Sequence, residues 1–405
     1  MRVGMVSTRF GGLDGVTLES SKIAELLVRQ GHEVCWFSGH RDPGFSPGIT
    51  VAEAHFKDTE ELDRQGEYFG SSHRRNGLIE EIQAAASHLS TGLRGFVNEF
   101  DVDVLMAQNA LAIPMQVPLA MAITDVVAEG IPAIAHHHDF RWERARFSPT
   151  SIGELLDAYF PPRTPDIEHW VINSVAQGEL ARRKGIAAAV LPNVMDFANP
   201  PNPGDPGALR QAVGVGAATK ILLQPTRVIP RKSIETTIDL AARLASDCTV
   251  VVTHEDGDEG PGYGSYVRAH ADALGVDLRF VVADGDGGGP TLADAYAAAD
   301  LVVYPSRIEG FGNALLEAFY YRRPVVVRRY SVYAEDIGPK GVRCIEFAEQ
   351  LTESTVSRAQ AWVDEPHLWR EAVESNYLIG LRYFSMEAAG EVVDRTMAAV
   401  AADRA

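Results

Sequence analysis

Two glutamates, Glu309 and Glu317, stand eight positions apart in SRIEGFGNALLEAFYYRRPVVV, residues 306 to 327, around Phe311 with Gly310 and Gly312 on either side. A strand-like run, LVVYPS, comes before them, and an apolar helix starts near Asn313. The first N–H groups of a helix lack intrahelical partners and sit at the positive end of its dipole, so this point is a natural anion site. Glycines there let a ligand approach the backbone closely. A ligand with phosphate in the middle and hydroxyl-rich groups at both ends suits the pattern, because a carboxylate beside phosphate would be repelled and must face hydroxyls. Each glutamate taken singly has a plainer reading: Glu309 as a surface acid, Glu317 as support for the first helical turn.

Two other stretches carry chemistry. PTRVIPRKSIETTIDLA, residues 225 to 241, puts Arg227 and Lys232 just after the strand KILLQPT. Two cations there could neutralise a diphosphate leaving group, or form a solvated basic loop before a helix. PAIAHHHDFRWERARF, residues 132 to 147, has three consecutive histidines on a strand. Successive strand residues face opposite ways, so the three cannot all ligate one metal, and packing or solvent contact accounts for two of them. Asp139, Arg141, Trp142 and Arg144 follow, and read equally well as the rim of an acceptor site or as surface ion pairs. No paired aspartates point to a metal.

The elements that must position these residues alternate from end to end. RVGMVS, LESSKIAELLVRQG and HEVCWFSG give strand, helix and strand, and DVLMAQ, PAIAHHH, HWVINS and AAVLP continue the strands of the first half. KILLQPT, CTVVVTH, LRFVVAD, DLVVYPS and PVVVRRY supply the second half. Buried β-branched runs separated by amphipathic helices specify parallel sheets, which bind ligands at their carboxyl edges. The polar segment from Lys57 to Ser87 reads as helix and loop, and residues 109 to 128 as a buried helix interrupted by Pro114 and Pro118. Five prolines between residues 191 and 207 mark a linker. The expected division is an N-terminal domain, 1–195, joined by a C-terminal helix at about 385–405, and a second domain, 196–384.

Composition narrows the class of function. At 405 residues with a formal charge of −18, the chain is a two-domain α/β protein poorly suited to nucleic acid, whose phosphates call for a basic stripe. Cys35, Cys248 and Cys344 are few, scattered and odd in number, which suits neither a disulfide framework nor a zinc site. No export signal or apolar run of about 20 residues stands out, so a cytoplasmic protein without a transmembrane segment is expected. Gly11 and Gly12 follow the first strand, but not as G-x-G-x-x-G, and no acid closes the second strand as in a dinucleotide site.

The motif EGFGNALLE resembles the signature of family-4 retaining glycosyltransferases with the GT-B fold, in which two Rossmann-like domains face each other across a cleft. PTRVIPRKS resembles the same family's diphosphate grip. RFGGLDGVTLESSKIAELLVRQGHEV resembles its glycine loop and first helix, and VLPNVMDF its linker. The resemblance implies sugar transfer from a nucleotide sugar to a hydroxyl acceptor. Glu317 would hold the ribose, and Glu309 the transferred sugar, joined by His138 at its strand end. The backbone of Gly310, Phe311, Gly312, Asn313, Ala314 and Leu315 would hold sugar hydroxyls and diphosphate together with Arg227 and Lys232, and Gly11 and Gly12 would approach the donor from the first domain. The acceptor, a small molecule, glycan or lipid, would meet Asp139, Arg141 and Arg144. A UDP-, GDP- or other nucleotide sugar is implied as co-substrate, with no metal and no further cofactor. Alternatives on this architecture are a phosphorylase, an epimerase or a non-catalytic nucleotide-sugar sensor. The chain departs from the family at Thr226 and Ser233, where glycine is frequent, at residues 253–264, and at RRYSVYAEDI, residues 328 to 337, beside the first motif.

Overall fold

The computed structural model describes residues 1–12, 14–254, 262–283 and 288–403. The chain divides into two compact units: Met1–Asn193 with Ala389–Ala405, and Val194–Ala388. The helix Met386–Asp403 runs across that division.

Unit 1 is built on β1 (Arg2–Ser7), β2 (Glu33–Ser38), β3 (Gly48–Thr50), β4 (Val104–Gln108), β5 (Ala133–His137), β6 (Ile167–Val171) and β7 (Ala189–Val190), all parallel, in the order β3-β2-β1-β4-β5-β6-β7. β1 and β4 are buried along almost their whole length, the pattern of strands covered on both faces. Helices Leu78–Glu99 and Val117–Ala128 join the core that packs over Leu105, Ala107 and Ala133. The expected helix over 109–128 starts only at Val117. Gln116 caps it by accepting from the Leu119 N–H at 3.1 Å, and Pro118 fits the first turn, where no N–H partner is needed. No described helix is long and apolar enough to cross a membrane.

Unit 2 repeats the plan with β8 (Lys220–Gln224), β9 (Cys248–Val252), β10 (Asp277–Phe280), β11 (Leu301–Tyr304), β12 (Val325–Arg328) and β13 (Ile345–Phe347), in the order β10-β9-β8-β11-β12-β13. β10 sits earlier than the run LRFVVAD suggests, ending at Phe280. β3 and β13 were not anticipated, because three-residue edge strands are too short to show a pattern. Part of the divergent segment 253–264 lies outside the described residues.

Both sheets reverse their strand order at one place, between β1 and β4 in unit 1 and between β8 and β11 in unit 2. At such a point neighbouring connections leave in opposite directions and open a crevice at the carboxyl edge.

Candidate functional site

In unit 2 the crevice lies where β8 delivers Arg227 and Lys232 and β11 delivers Glu309. Both Glu309 oxygens are engaged: Oε1 by Lys232 Nζ at 2.5 Å and Oε2 by Arg231 Nη1 at 3.0 Å. The side chains of Glu309 and Lys232 are only 8% and 10% exposed, so this is a pair largely removed from water. Burial pushes the Glu309 carboxyl up, but the Lys232 and Arg231 charges outweigh it and hold it below its ordinary value. Lys232 also moves down, because burial and the neighbouring Arg231 and Arg227 charges exceed what Glu309 returns. That both move down reflects an excess of positive charge: Arg227, Arg231 and Lys232 against Glu309 leave 3 − 1 = +2. Arg227 makes no ion pair among the described residues.

The sequence expectation gave Lys232 to a diphosphate and Glu309 to a sugar as separate posts; in the structure they are bonded to each other, and Arg231, which was not anticipated, completes the cluster. Gln224 holds the turn in place, donating from Nε2 to the Lys232 carbonyl at 2.8 Å while its Oε1 accepts from Thr237 at 2.5 Å. Ser233 follows at φ 52°, a left-handed conformation that glycine adopts with less strain.

Helix Asn313–Tyr320 begins after Gly312, which offers no side chain to cap it. Gly312 has φ +123°, and a Cβ there would lie 2.3 Å from the Tyr330 hydroxyl, itself donating to the Phe311 carbonyl at 2.7 Å. The divergent loop 328–337 thus reaches the helix start through Tyr330. Gly312→Ala should cost about 1–3 kcal/mol of unit 2 stability in urea unfolding, since both backbone and space are wrong for a methyl group; a loss under about 0.5 kcal/mol would contradict this geometry. Further along, Glu317 Oε2 lies 2.9 Å from the buried Tyr296 hydroxyl, which is also 3.0 Å from the Ala314 carbonyl. Burial pushes the Tyr296 phenol up, so it remains a donor and orients Glu317. Tyr296 sits in TLADAYAAA, a run that reads only as core, and no sequence signal singled it out.

In unit 1 the three histidines alternate as expected. His136 and His138 share one face, with ring centres 4.3 Å apart, and His137 Nε2 meets His169 Nδ1 at 2.9 Å on the other. Gln108 Oε1 lies 3.0 Å from His136 Nδ1 and 3.4 Å from His138 Nε2. The Gln108 side-chain amide thus lies between the two rings. Burial draws His138 down to about 4, against the charges of Asp139 and Asp14, and the ring is neutral at pH 7. Asn109, in the left-handed region at φ 57°, accepts from the His138 N–H at 3.0 Å and donates to Asp139 at 2.8 Å.

The glycine loop differs from expectation. The Gly12 N–H donates to Asp42 Oδ2 at 2.9 Å and the Gly11 N–H to Thr17 Oγ1 at 3.4 Å, so both amides already have protein acceptors. Asp42 lies beyond the end of β2, past Gly39, His40 and Arg41, so it is not the acid that closes a strand in a dinucleotide site. A Cβ on Gly11 would stand 2.7 Å from the Asp42 carboxyl. The acceptor candidates do not converge on one spot. Arg144 pairs with Asp139 beside a cavity at the β1/β4 switch point, whereas Arg141 pairs with Asp157 and lines a separate depression with Trp142, Arg183 and Lys184.

A family model described as glycosyl transferases group 1 matches residues 219–357. The mannosylglucosylglycerate synthase of Thermotoga maritima is 30% identical, aligned over 98% of this chain and 99% of its own. That of Petrotoga mobilis is 31% identical over 86% and 87%. Among solved structures, Anabaena Alr3699/HepE in complex with UDP and glucose superimposes with a TM-score of 0.68 at 17% identity, over 98% of this chain and 100% of that one.

Proposed function

The chain belongs to the group 1 glycosyltransferases, family-4-like enzymes of the GT-B fold, and from that premise we propose retaining transfer of a sugar from a nucleotide sugar bound by unit 2 to an acceptor hydroxyl bound by unit 1. The observation that carries the donor assignment is the cluster of Arg227, Arg231 and Lys232, whose surplus of +2 over Glu309 matches a diphosphate leaving group. The Anabaena protein, solved with UDP, supports a nucleotide donor. Glu317, oriented by Tyr296, takes the ribose hydroxyls, and the backbone from Gly310 to Leu315 takes sugar hydroxyls and phosphate.

In the transfer, the bond from anomeric carbon to phosphate oxygen breaks and a bond to the acceptor oxygen forms. The acceptor's proton passes to the departing phosphate oxygen on the same face. Charge building on that oxygen is met by cations already in place, which lowers the barrier without reorganisation at the moment of reaction. Glu309, ionised and held by two cations, is placed to stabilise positive character on the sugar rather than to attack it. His138, neutral at pH 7, is the second side chain assigned to the transferred sugar.

Arg227 provides the direct test. Arg227→Ala should weaken nucleoside diphosphate binding by about 1.5–3 kcal/mol, the range for a hydrogen bond to a charged group, as read by calorimetry on the whole protein. Equal affinity in variant and parent would overturn the diphosphate assignment. Product stereochemistry, read from the anomeric proton coupling, tests retention; an inverted product would refute it.

A further inference from the structure

Arg141, expected among the acceptor groups, lines a depression of about 230 Å³ in unit 1 together with Trp142, Asp157, Arg183 and Lys184. None of these residues belongs to the wall of the cavity at the β1/β4 switch point. Three elements meet there: the turn Arg141–Glu143, helix Gly153–Tyr159 and the last turn of helix Ser174–Lys184. The wall consists mainly of donors, because guanidinium, ammonium and indole N–H groups donate and do not accept. Its one acid, Asp157, is already engaged, the carboxylate by Arg141 Nη2 and the backbone carbonyl by Lys184 Nζ at 2.5 Å. Arg141, Arg183 and Lys184 against Asp157 leave 3 − 1 = +2, or +1 when Glu179 on Arg183 is counted, in a protein of −18.

Cations in the last turn of a helix ordinarily offset its dipole, and Arg182 and Arg183, both paired with Glu179, fit that role. Lys184 and the turn do not. Lys184 is only 9% exposed and folds inward onto Asp157. Burial, then the Arg141 charge, draw its ammonium below the ordinary value, with Arg163 adding to them and Asp157 opposing. Arg141 Nε and Trp142 Nε1 are shielded from water and have no hydrogen-bond partner among the described residues. A buried donor left without an acceptor costs about 1–3 kcal/mol. What these three groups lack is an anionic acceptor. Arg183, its side chain 42% exposed, covers the Trp142 ring with its guanidinium carbon 5.4 Å from the centre, so it is the side of the wall that can turn outward and let a ligand reach the ring.

We propose that this depression is a second ligand site, which takes a phosphate group, free or as the monoester of a small metabolite. A phosphate monoester carries about −1.5 to −2 charges at pH 7 and three strong acceptor oxygens, enough to answer the surplus charge and the donors of Arg141, Trp142 and Lys184 together. A carboxylate brings one charge and two oxygens. At roughly 30 Å³ per water the volume equals about seven or eight waters, room for the phosphate and a short carbon chain. The site is independent of the transferase reading, since Trp142, Arg183 and Lys184 take no part in sugar transfer. Arg141 and Trp142 follow His138 by only three and four positions, so a bound phosphate would pin the segment carrying that histidine to helices Gly153–Tyr159 and Ser174–Lys184.

The test is a titration of the whole protein with inorganic phosphate, followed on the Trp142 indole N–H by nitrogen-edited NMR, with the signal assigned from Trp142→Phe. Phosphate taken up by the Arg227 cluster of unit 2 leaves this signal in place. Chloride at matched ionic strength is the control, and methyl phosphate and acetate are the comparison ligands. The expected result is a saturable shift of that signal with phosphate or methyl phosphate, half-complete at about 1 mM or below, and a much weaker response to acetate. Tighter binding of methyl phosphate assigns a monoester, and tighter binding of phosphate the free ion; both support the site. In Lys184→Gln and Arg183→Gln the half-saturation point should rise by about tenfold or more. Arg183→Gln, at an exposed position, keeps the test decisive if Lys184→Gln loses stability in a thermal melt. A linear drift, the same shift with chloride, or a half-saturation point unchanged in folded variants means an adventitious ion only and overturns the proposal. Equal binding of acetate overturns its restriction to phosphate.

Discussion

Glu309→Gln should reduce sugar transfer by about 10²- to 10³-fold, the loss typical of removing one preorganised electrostatic group, while nucleoside diphosphate affinity stays within a few-fold of the parent. Glutamine keeps the shape and one carbonyl acceptor, so what is removed is the charge between Lys232 and Arg231. The structure makes alanine the poorer choice. Either change leaves Lys232 without its countercharge, at a cost of up to about 3–5 kcal/mol, but alanine also removes both acceptors of Lys232 and Arg231, so with Lys232 already drawn down by burial and two arginines its loss of activity would be more confounded with loss of fold. Single-turnover kinetics with saturating donor, beside a urea melt, separate the effects. Turnover within threefold of the parent in a folded variant would remove Glu309 from the chemistry.

Unit 1 should lose stability steeply as pH falls from about 6.5 to about 4. His138 and His169 are both drawn down to about 4 by burial, and His136 and His137 also lie well below the ordinary value, by burial first and then by neighbouring ring charges. A histidine whose folded pKa is depressed takes up its proton in the unfolded chain before the native state does. Stability is therefore fully present above about 6.5 and lost with each step down toward 4, by up to about 1.4 kcal/mol per pH unit for each histidine. Glu61, buried and pushed up to about 7, acts in the opposite sense between 4.5 and 7. Glu143 is also raised to about 7, but its residue is exposed and carries less weight. Four histidines against these acids leave a net slope of a few kcal/mol per pH unit. Urea midpoints at pH 7.5, 6.0 and 5.0 would show it. His169→Gln, which leaves His137 Nε2 a partner and removes one titrating group, should flatten the curve. Midpoints that do not move above pH 5 would show that these rings accept protons within the native fold.

How much was legible varies by residue, and the reason is range. Strand runs such as KILLQ and LVVY, the helix start at Asn313 and the glycine before it are local patterns, set by side-chain periodicity and backbone freedom over a few residues. Gly312 shows the limit: the sequence marks a flexible position, but only the fold brings the Tyr330 hydroxyl to where a Cβ would stand. Arg231 stands beside Lys232 in the motif, and a basic pair on a turn does not say which member faces inward. Asp42 reaches Gly12 across 30 positions, and Tyr296 reaches Glu317 across 21. Partners at such separations follow from strand order, which periodicity does not encode.

By itself, then, the sequence determined the class of fold, the parallel strands that end at the reactive motifs, and the kinds of groups those motifs present, since each depends on neighbours along the chain. Tertiary structure alone decided that Glu309 and Lys232 form one buried pair with Arg231, that Arg141 stands apart from Arg144, and that Arg9, Arg144 and Arg146 share a wall with the ends of β1 and β4. The physical reason is that charge acts through space. A carboxylate's partner, its burial and hence its protonation depend on what the sheet order brings within a few ångströms, and that order is settled by packing the whole unit.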